Sequence, residues 1–231
     1  MRKLGLIGGM SWVSTRTYYD HINRIVQQRT SRRSSAPMLI ESLDFAQVYA
    51  LDTDEDWNRA AGILADSARR LEAAGAGALI IGANSMHRVY DTVAGAVEVP
   101  ILHIAQSVGE RMGADKVRTA ALLGTRNVMT ESFYRRRLVA HGVDLLPPDM
   151  DRVEKLDRII YEELMIGRAS RDAERTLRSM LTELAQGGAD AVVLACTELE
   201  QIVVLDANVL PIYDSTQIHA QAAAEWILGS D

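Results

Sequence analysis

Residues 75–85 read Gly-Ala-Gly-Ala-Leu-Ile-Ile-Gly-Ala-Asn-Ser, and residues 188–198 read Gly-Ala-Asp-Ala-Val-Val-Leu-Ala-Cys-Thr-Glu. Each stretch is a glycine turn, then a short unbroken apolar run, then small polar residues. An apolar run without alternation is a strand covered on both faces, which belongs to a parallel sheet between layers of helix. Laid over one another, the two stretches pair Ala83 with Cys196.

The correspondence extends outward. Leu4-Gly5-Leu6-Ile7-Gly8-Gly9 is matched by Ala120-Ala121-Leu122-Leu123-Gly124-Thr125, and Val99-Pro100-Ile101 by Leu210-Pro211-Ile212. The offsets are 116 residues (Gly8 to Gly124), 113 (Ala83 to Cys196) and 111 (Pro100 to Pro211), nearly constant over half the chain. An internal duplication explains this. Between the apolar runs the period changes to helical. Trp57, Ala60, Ala61, Leu64, Ala68 and Leu71 recur on one face behind a Thr53-Asp54-Glu55-Asp56 start, with Gly75 as the stop. Ser170 opens a second helix with Ala173, Leu177, Met180 and Leu184 inward, and Gly187 closes it. The expected fold is therefore α/β, two similar parallel-sheet lobes with right-handed crossovers. The lobes are expected at 1–112 and 113–231, the terminal helix at 216–228 being free to cross back onto the first.

In such sheets ligands bind beyond the carboxyl ends of the strands. Here that means Gly8 to Ser11, Ala83 to Ser85, Thr125, and Cys196 to Glu198. If the halves face each other about a pseudo-twofold axis, all four loops line one cleft, with residues 83 and 196 on opposite walls. Cys196 precedes Thr197-Glu198-Leu199, a helix start whose amides and dipole would favour its thiolate, making it a base or nucleophile by position. A lone cysteine is as often a small buried hydrophobe. Asn84, Ser85 and Thr197 are as often turn formers, and Met10 and Trp12 are equally readable as core. Polar residues at the same point of both repeats favour the functional reading.

Composition narrows the chemistry. With 231 residues, 48% hydrophobic, the chain can bury a sizeable core, and its formal charge of −6 gives no long-range pull toward nucleic acid or anionic membrane. No apolar run reaches the ~18 residues that span a bilayer, and no signal-peptide pattern opens the chain. A single cysteine agrees with a reducing, cytoplasmic setting. Only three lysines stand against 22 arginines, and none of Lys3, Lys116 and Lys155 falls on a carboxyl-end loop, so a pyridoxal phosphate Schiff base is not expected. The histidines at 21, 87, 103, 141 and 219 show no metal-ligand spacing, and Gly5, Gly8 and Gly9 do not fit the dinucleotide fingerprint. No metal and no cofactor are expected.

Taken together, Gly8-Gly9-Met10-Ser11-Trp12, Ala83-Asn84-Ser85-Met86-His87, Leu123-Gly124-Thr125 and Ala195-Cys196-Thr197-Glu198, with Ser42-Leu43-Asp44-Phe45 between them, resemble the aspartate/glutamate racemase family. The likeness runs through nearly the whole chain. It implies two α/β lobes with a substrate cleft between them, commonly a homodimer, acting on a small amino acid without a cofactor. It also implies a two-base mechanism in which one cysteine takes the α-proton from one face and a second returns a proton to the other. By position, Asn84, Ser85, Thr125 and Thr197 become the substrate-binding and carbanion-stabilising set, with Met10 and Ser11 closing the cleft.

The departure is at residue 83. The family motif reads Cys-Asn-Thr where this chain has Ala83-Asn84-Ser85, and a methyl group carries no transferable proton. An alanine introduced to halt turnover, a natural one-thiol enzyme and a lost activity all fit, and the family-like neighbours favour the first. The readings carried forward are a racemase impaired at residue 83, a one-thiol decarboxylase or isomerase of the same superfamily, and a non-catalytic amino-acid-binding protein. Substrate choice is expected to fall on aspartate or glutamate, or on a broader set. Arg168 stands near the segment where relatives place a lysine, while Asp52, in the loop that covers the cleft in relatives, would repel a second carboxylate.

Overall fold

The computed structural model describes residues 1–203 and 208–229. It divides into two compact units, Met1–Ile104 with the residues from His219 on, and Ala105–Ile218. The division falls at Ile104/Ala105, upstream of the 112/113 expected from the duplication.

In the first unit the strands are β1 (Leu4–Gly8), β2 (Met38–Ser42), β3 (Ala78–Ile81) and β4 (Ile101–Leu102), all parallel in the order β2-β1-β3-β4. The helices are α1 (Trp12–Arg29), α2 (Asp54–Ala73), α3 (Tyr90–Ala94) and the first residue of α4 (Ile104–Ala114). Alternate strand residues go to opposite faces. Leu4, Leu6, Ala78 and Ile80 pack with Tyr18, Ile22 and Val26 of α1. Ile7, Leu79 and Ile81 pack with Trp57, Leu64, Ala68 and Leu71 of α2. Both faces are thus covered, which is why the runs show no alternation.

The second unit repeats the plan. Strands β5 (Thr119–Gly124), β6 (Asp144–Leu145), β7 (Ala191–Ala195) and β8 (Ile212–Asp214) are parallel in the order β6-β5-β7-β8. Helices α5 (Arg126–Thr130), α6 (Ser132–Val139), α7 (Met150–Glu162) and α8 (Arg171–Gln186) accompany them, and the chain continues into α9 (Ser215–Leu228). Ala121, Leu123, Val192 and Leu194 face Val153, Leu156 and Ile160 of α7 and Ala173, Leu177, Met180 and Leu184 of α8. Of α9, Ala220, Ala223, Ala224 and Ile227 join the α1 face of the first unit's core.

Local chemistry sets the ends of these elements. Thr53 and Asp56 close a reciprocal capping box at the start of α2. The hydrogen bonds it receives, first from the Thr53 hydroxyl, hold the Asp56 carboxyl down to about 2. Ser170 caps α8 by accepting from the Ala173 amide at 3.1 Å. Gly75 and Gly188, the matched glycines before β3 and β7, have φ of 91° and 90°, a left-handed turn that a side chain disfavours. The two repeats thus enter their central strands by the same backbone device.

Candidate active site

In the first unit the loops leaving β1 and β3 carry Met10, Ser11, Ala83, Asn84 and Ser85. These strands are neighbours, Ile7 being in register with Ile81. Ser11 is the N-cap of α1. Gly9, at φ 84°, lies against the backbone of Leu43, where no Cβ fits. Its amide donates to Thr15 Oγ1 at 2.7 Å, and that hydroxyl donates to the Ser11 carbonyl at 3.0 Å. Met10 and Ala83 are buried in one apolar cluster with Met86. Asn84 is 5% exposed, yet among the described residues neither Oδ1 nor Nδ2 has a hydrogen-bond partner. Folding normally satisfies such groups, since leaving one bare costs about 1–3 kcal/mol.

In the second unit the loops leaving β5 and β7 carry Thr125, Cys196 and Thr197, with Gly124 in register with Ala195. Thr125 is buried and its Oγ1 is likewise without a partner among the described residues. Its neighbour's amide, Arg126 N, donates to Asp157 Oδ1 of α7 at 2.7 Å, which fixes the loop. The chain after Cys196 forms a 3-10 helix, Thr197–Ile202, and this turn brings Glu198 back to the sulfur. Cys196 Sγ–H donates to Glu198 Oε2 at 3.2 Å, and Thr197 Oγ1 donates to the same oxygen at 2.5 Å. All three residues are buried.

This corrects one expectation. The turn was expected to favour a thiolate, and the amides of Glu198 and Leu199 do pull that way. Burial raises the Cys196 thiol well above its usual range, and the Glu198 charge adds to the rise. Desolvation of the sulfur outweighs two backbone donors. At rest the proton stays on sulfur, held against a carboxylate. In the sequence Glu198 stands out only as a member of the loop and motif that follow Cys196. Its contact with the thiol depends on the 3-10 geometry, for which the sequence had no distinct signal.

Other expected residues lie at the surface. Asp52 is exposed in the loop before α2, and Arg168 is exposed after the 3-10 turn Leu164–Ile166. Trp12, readable as core, is 64% exposed. Lys3 and Lys116 precede β1 and β5 at their amino ends, and Lys155 lies on α7, all three exposed. Among the described residues no group of three or more His, Cys, Asp or Glu is placed to hold a metal ion, and no helix is long and apolar enough to cross a membrane.

Comparison with known proteins gives a consistent result. The family model of Asp/Glu/hydantoin racemase matches residues 7–223. A solved structure described as an Asp/Glu racemase, from Yersinia pestis, superposes with a TM-score of 0.90 at 37% identity, covering 99% of this chain and 100% of that one. An aspartate racemase homologue from Pyrococcus horikoshii gives 0.86 at 31% identity, covering 99% and 100%. The broad specificity amino-acid racemase RacX of Bacillus subtilis is 23% identical over 97% of this chain and 98% of its own length.

Proposed function

The chain belongs to the Asp/Glu/hydantoin racemase family, and on that premise we propose that it exchanges the α-proton of an amino acid through one thiol, Cys196, without a cofactor. Residue 83, the matched position of the first repeat, supplies no proton. The proposed substrate is aspartate or glutamate, or a broader set that includes them. The observation that carries the reading is the Cys196 thiol held on the Glu198 carboxylate at 3.2 Å, at the end of one of the two central strands of its sheet.

The α-hydrogen of an amino acid is a very weak acid, so its base must be strong once formed. A thiol whose pKa is raised by burial meets that condition, provided something nearby takes its proton. Glu198 Oε2 accepts the S–H proton, leaving a thiolate beside a neutral carboxylic acid. The thiolate takes the α-proton as H⁺ and becomes S–H again. The C–H electron pair moves into the substrate carboxylate, where hydrogen-bond donors stabilise the added charge. Thr125, Thr197, Asn84 and Ser85 are assigned to substrate binding, and the bare polar atoms of Asn84 and Thr125 support this. Met10 and Ser11 are assigned to enclosing the substrate. Arg168 would attract a side-chain carboxylate and Asp52 repel one, so these two exposed residues are the proposed readers of the side chain. With no proton donor at residue 83, the proton returns from sulfur to the face it left, and racemisation is slow. The reading extends to a cytoplasmic homodimer.

The test is incubation with each enantiomer of aspartate and glutamate in deuterium oxide. One enantiomer gains deuterium at the α-carbon much faster than its mirror image, with configuration retained, and Cys196→Ala abolishes the exchange. Absence of exchange into any common amino acid of either hand would refute it.

A further inference from the structure

His87 lies in the 3-10 helix Ser85–Val89 that follows β3, and it is 2% exposed. Its Nδ1 is 2.9 Å from the carbonyl oxygen of Ala83, and the backbone N–H of Ile104 donates to its Nε2 at 3.2 Å. A carbonyl only accepts and an amide only donates, so the ring is neutral with its hydrogen on Nδ1. The ring is boxed in. His103 lies edge-on at 4.4 Å between centroids and Tyr90 is nearly parallel at 6.3 Å. Tyr90 is held in turn, its hydroxyl donating to the Ile101 carbonyl at 3.1 Å. The imidazole therefore joins the carbonyl of residue 83 to the first amide of α4, at the ends of two adjacent strands.

We propose that His87 is the positioning residue of the substrate-binding loop: its Nδ1–H fixes the Ala83–Asn84 peptide and thereby aims the Cβ of residue 83 and the amide of Asn84. The inference rests on the assignment of Asn84 to substrate binding. Asn84 makes no side-chain capping bond to its own turn, and its side-chain amide has no partner among the described residues, so its direction is inherited from the backbone. The Ala83 carbonyl is where that backbone is tied down. The Ile104 contact serves a different purpose, supplying an acceptor to the first amide of α4.

Two substitutions separate the contacts. His87→Asn keeps a donor at the place of Nδ1 and gives up the acceptor for Ile104. His87→Gln reaches Ile104 with its amide oxygen and gives up the donor to Ala83. Turnover of α-deuterium exchange with aspartate and glutamate is measured for both, beside the amide-hydrogen protection of Asn84 and Ser85 in the free protein, with Leu122 as an internal reference. His87→Gln should lower exchange turnover by roughly ten- to a hundredfold and selectively reduce protection of Asn84 and Ser85. His87→Asn should stay within about threefold of the parent on both counts. Equal losses in the two variants, or no loss in either, would overturn the proposal. If the parent exchanges no amino acid, the functional reading fails, and the contrast in amide protection still decides the positioning role.

Discussion

Cys196 and Glu198 are two residues apart in sequence and their side chains meet at 3.2 Å, the thiol donating to a carboxylate oxygen that also accepts from the Thr197 hydroxyl at 2.5 Å. The carboxylate has opposite effects on the two tasks of the sulfur. Its charge raises the thiol pKa, which lowers the resting thiolate fraction, and its lone pairs offer the proton somewhere to go. A catalytic role and a merely structural one can therefore be told apart at this contact.

Glu198→Gln should move the two readouts in opposite directions. Without the carboxylate charge the thiol pKa falls, so the pH midpoint of Cys196 alkylation by iodoacetamide shifts to lower pH. Without the proton acceptor, α-deuterium exchange slows by about 10²- to 10⁴-fold. Alkylation and exchange rising or falling together would point to a packing effect.

Asn84→Ala should separate stability from binding. The asparagine amide is buried without a partner among the described residues, so its removal costs little, and the thermal midpoint should be unchanged or higher. The affinity for the exchanging enantiomer, read by calorimetry, should fall roughly tenfold or more, the loss expected when one hydrogen bond to a charged group is removed.

Stability should depend on pH through His219. Its ring is fully buried, Nδ1 accepting from Tyr18 OH at 2.9 Å and Nε2–H donating to the Leu102 carbonyl at 3.0 Å, with the His87 ring 5.9 Å away. Burial lowers its pKa from 6.5 to about 4. The unfolded chain therefore binds the proton first as pH falls. Stability from this site is full above about pH 6.5 and declines toward pH 4, by about 3 kcal/mol over the interval. His219→Gln keeps a donor for Leu102 and removes the titration. The difference in unfolding free energy between parent and variant should be flat above pH 6.5 and shrink below it. A constant difference from pH 4 to 8 would contradict the assignment.

What was legible in the sequence was what local pattern encodes. The unbroken runs at Ala78–Ile81 and Ala191–Ala195 announce doubly covered strands, and they are β3 and β7. The helix expected behind Thr53 begins on a Thr53–Asp56 capping box, and its predicted inward residues are buried. The edge strands β2 and β6 gave no such signal. They are partly exposed, so their residues lack an unbroken apolar pattern. The position of Cys196 was legible because the duplication aligns it with Ala83. Its protonation was not, because desolvation depends on packing from distant segments such as Met129 and Leu123. The bond from Ile104 to His87 spans 17 residues and leaves no periodic trace.

Residue 83 is proposed to stand at the place of a second thiol, and Ala83→Cys tests this. In water at neutral pH, with no added cofactor, this variant is incubated separately with L- and D-aspartate and L- and D-glutamate, and enantiomeric composition is followed with time. At least one pair should converge on equal amounts of both hands from either side, at least about a hundredfold faster than with the parent chain. Further replacement of Cys196 by alanine should abolish this. A folded Ala83→Cys protein that interconverts no common amino acid would contradict it.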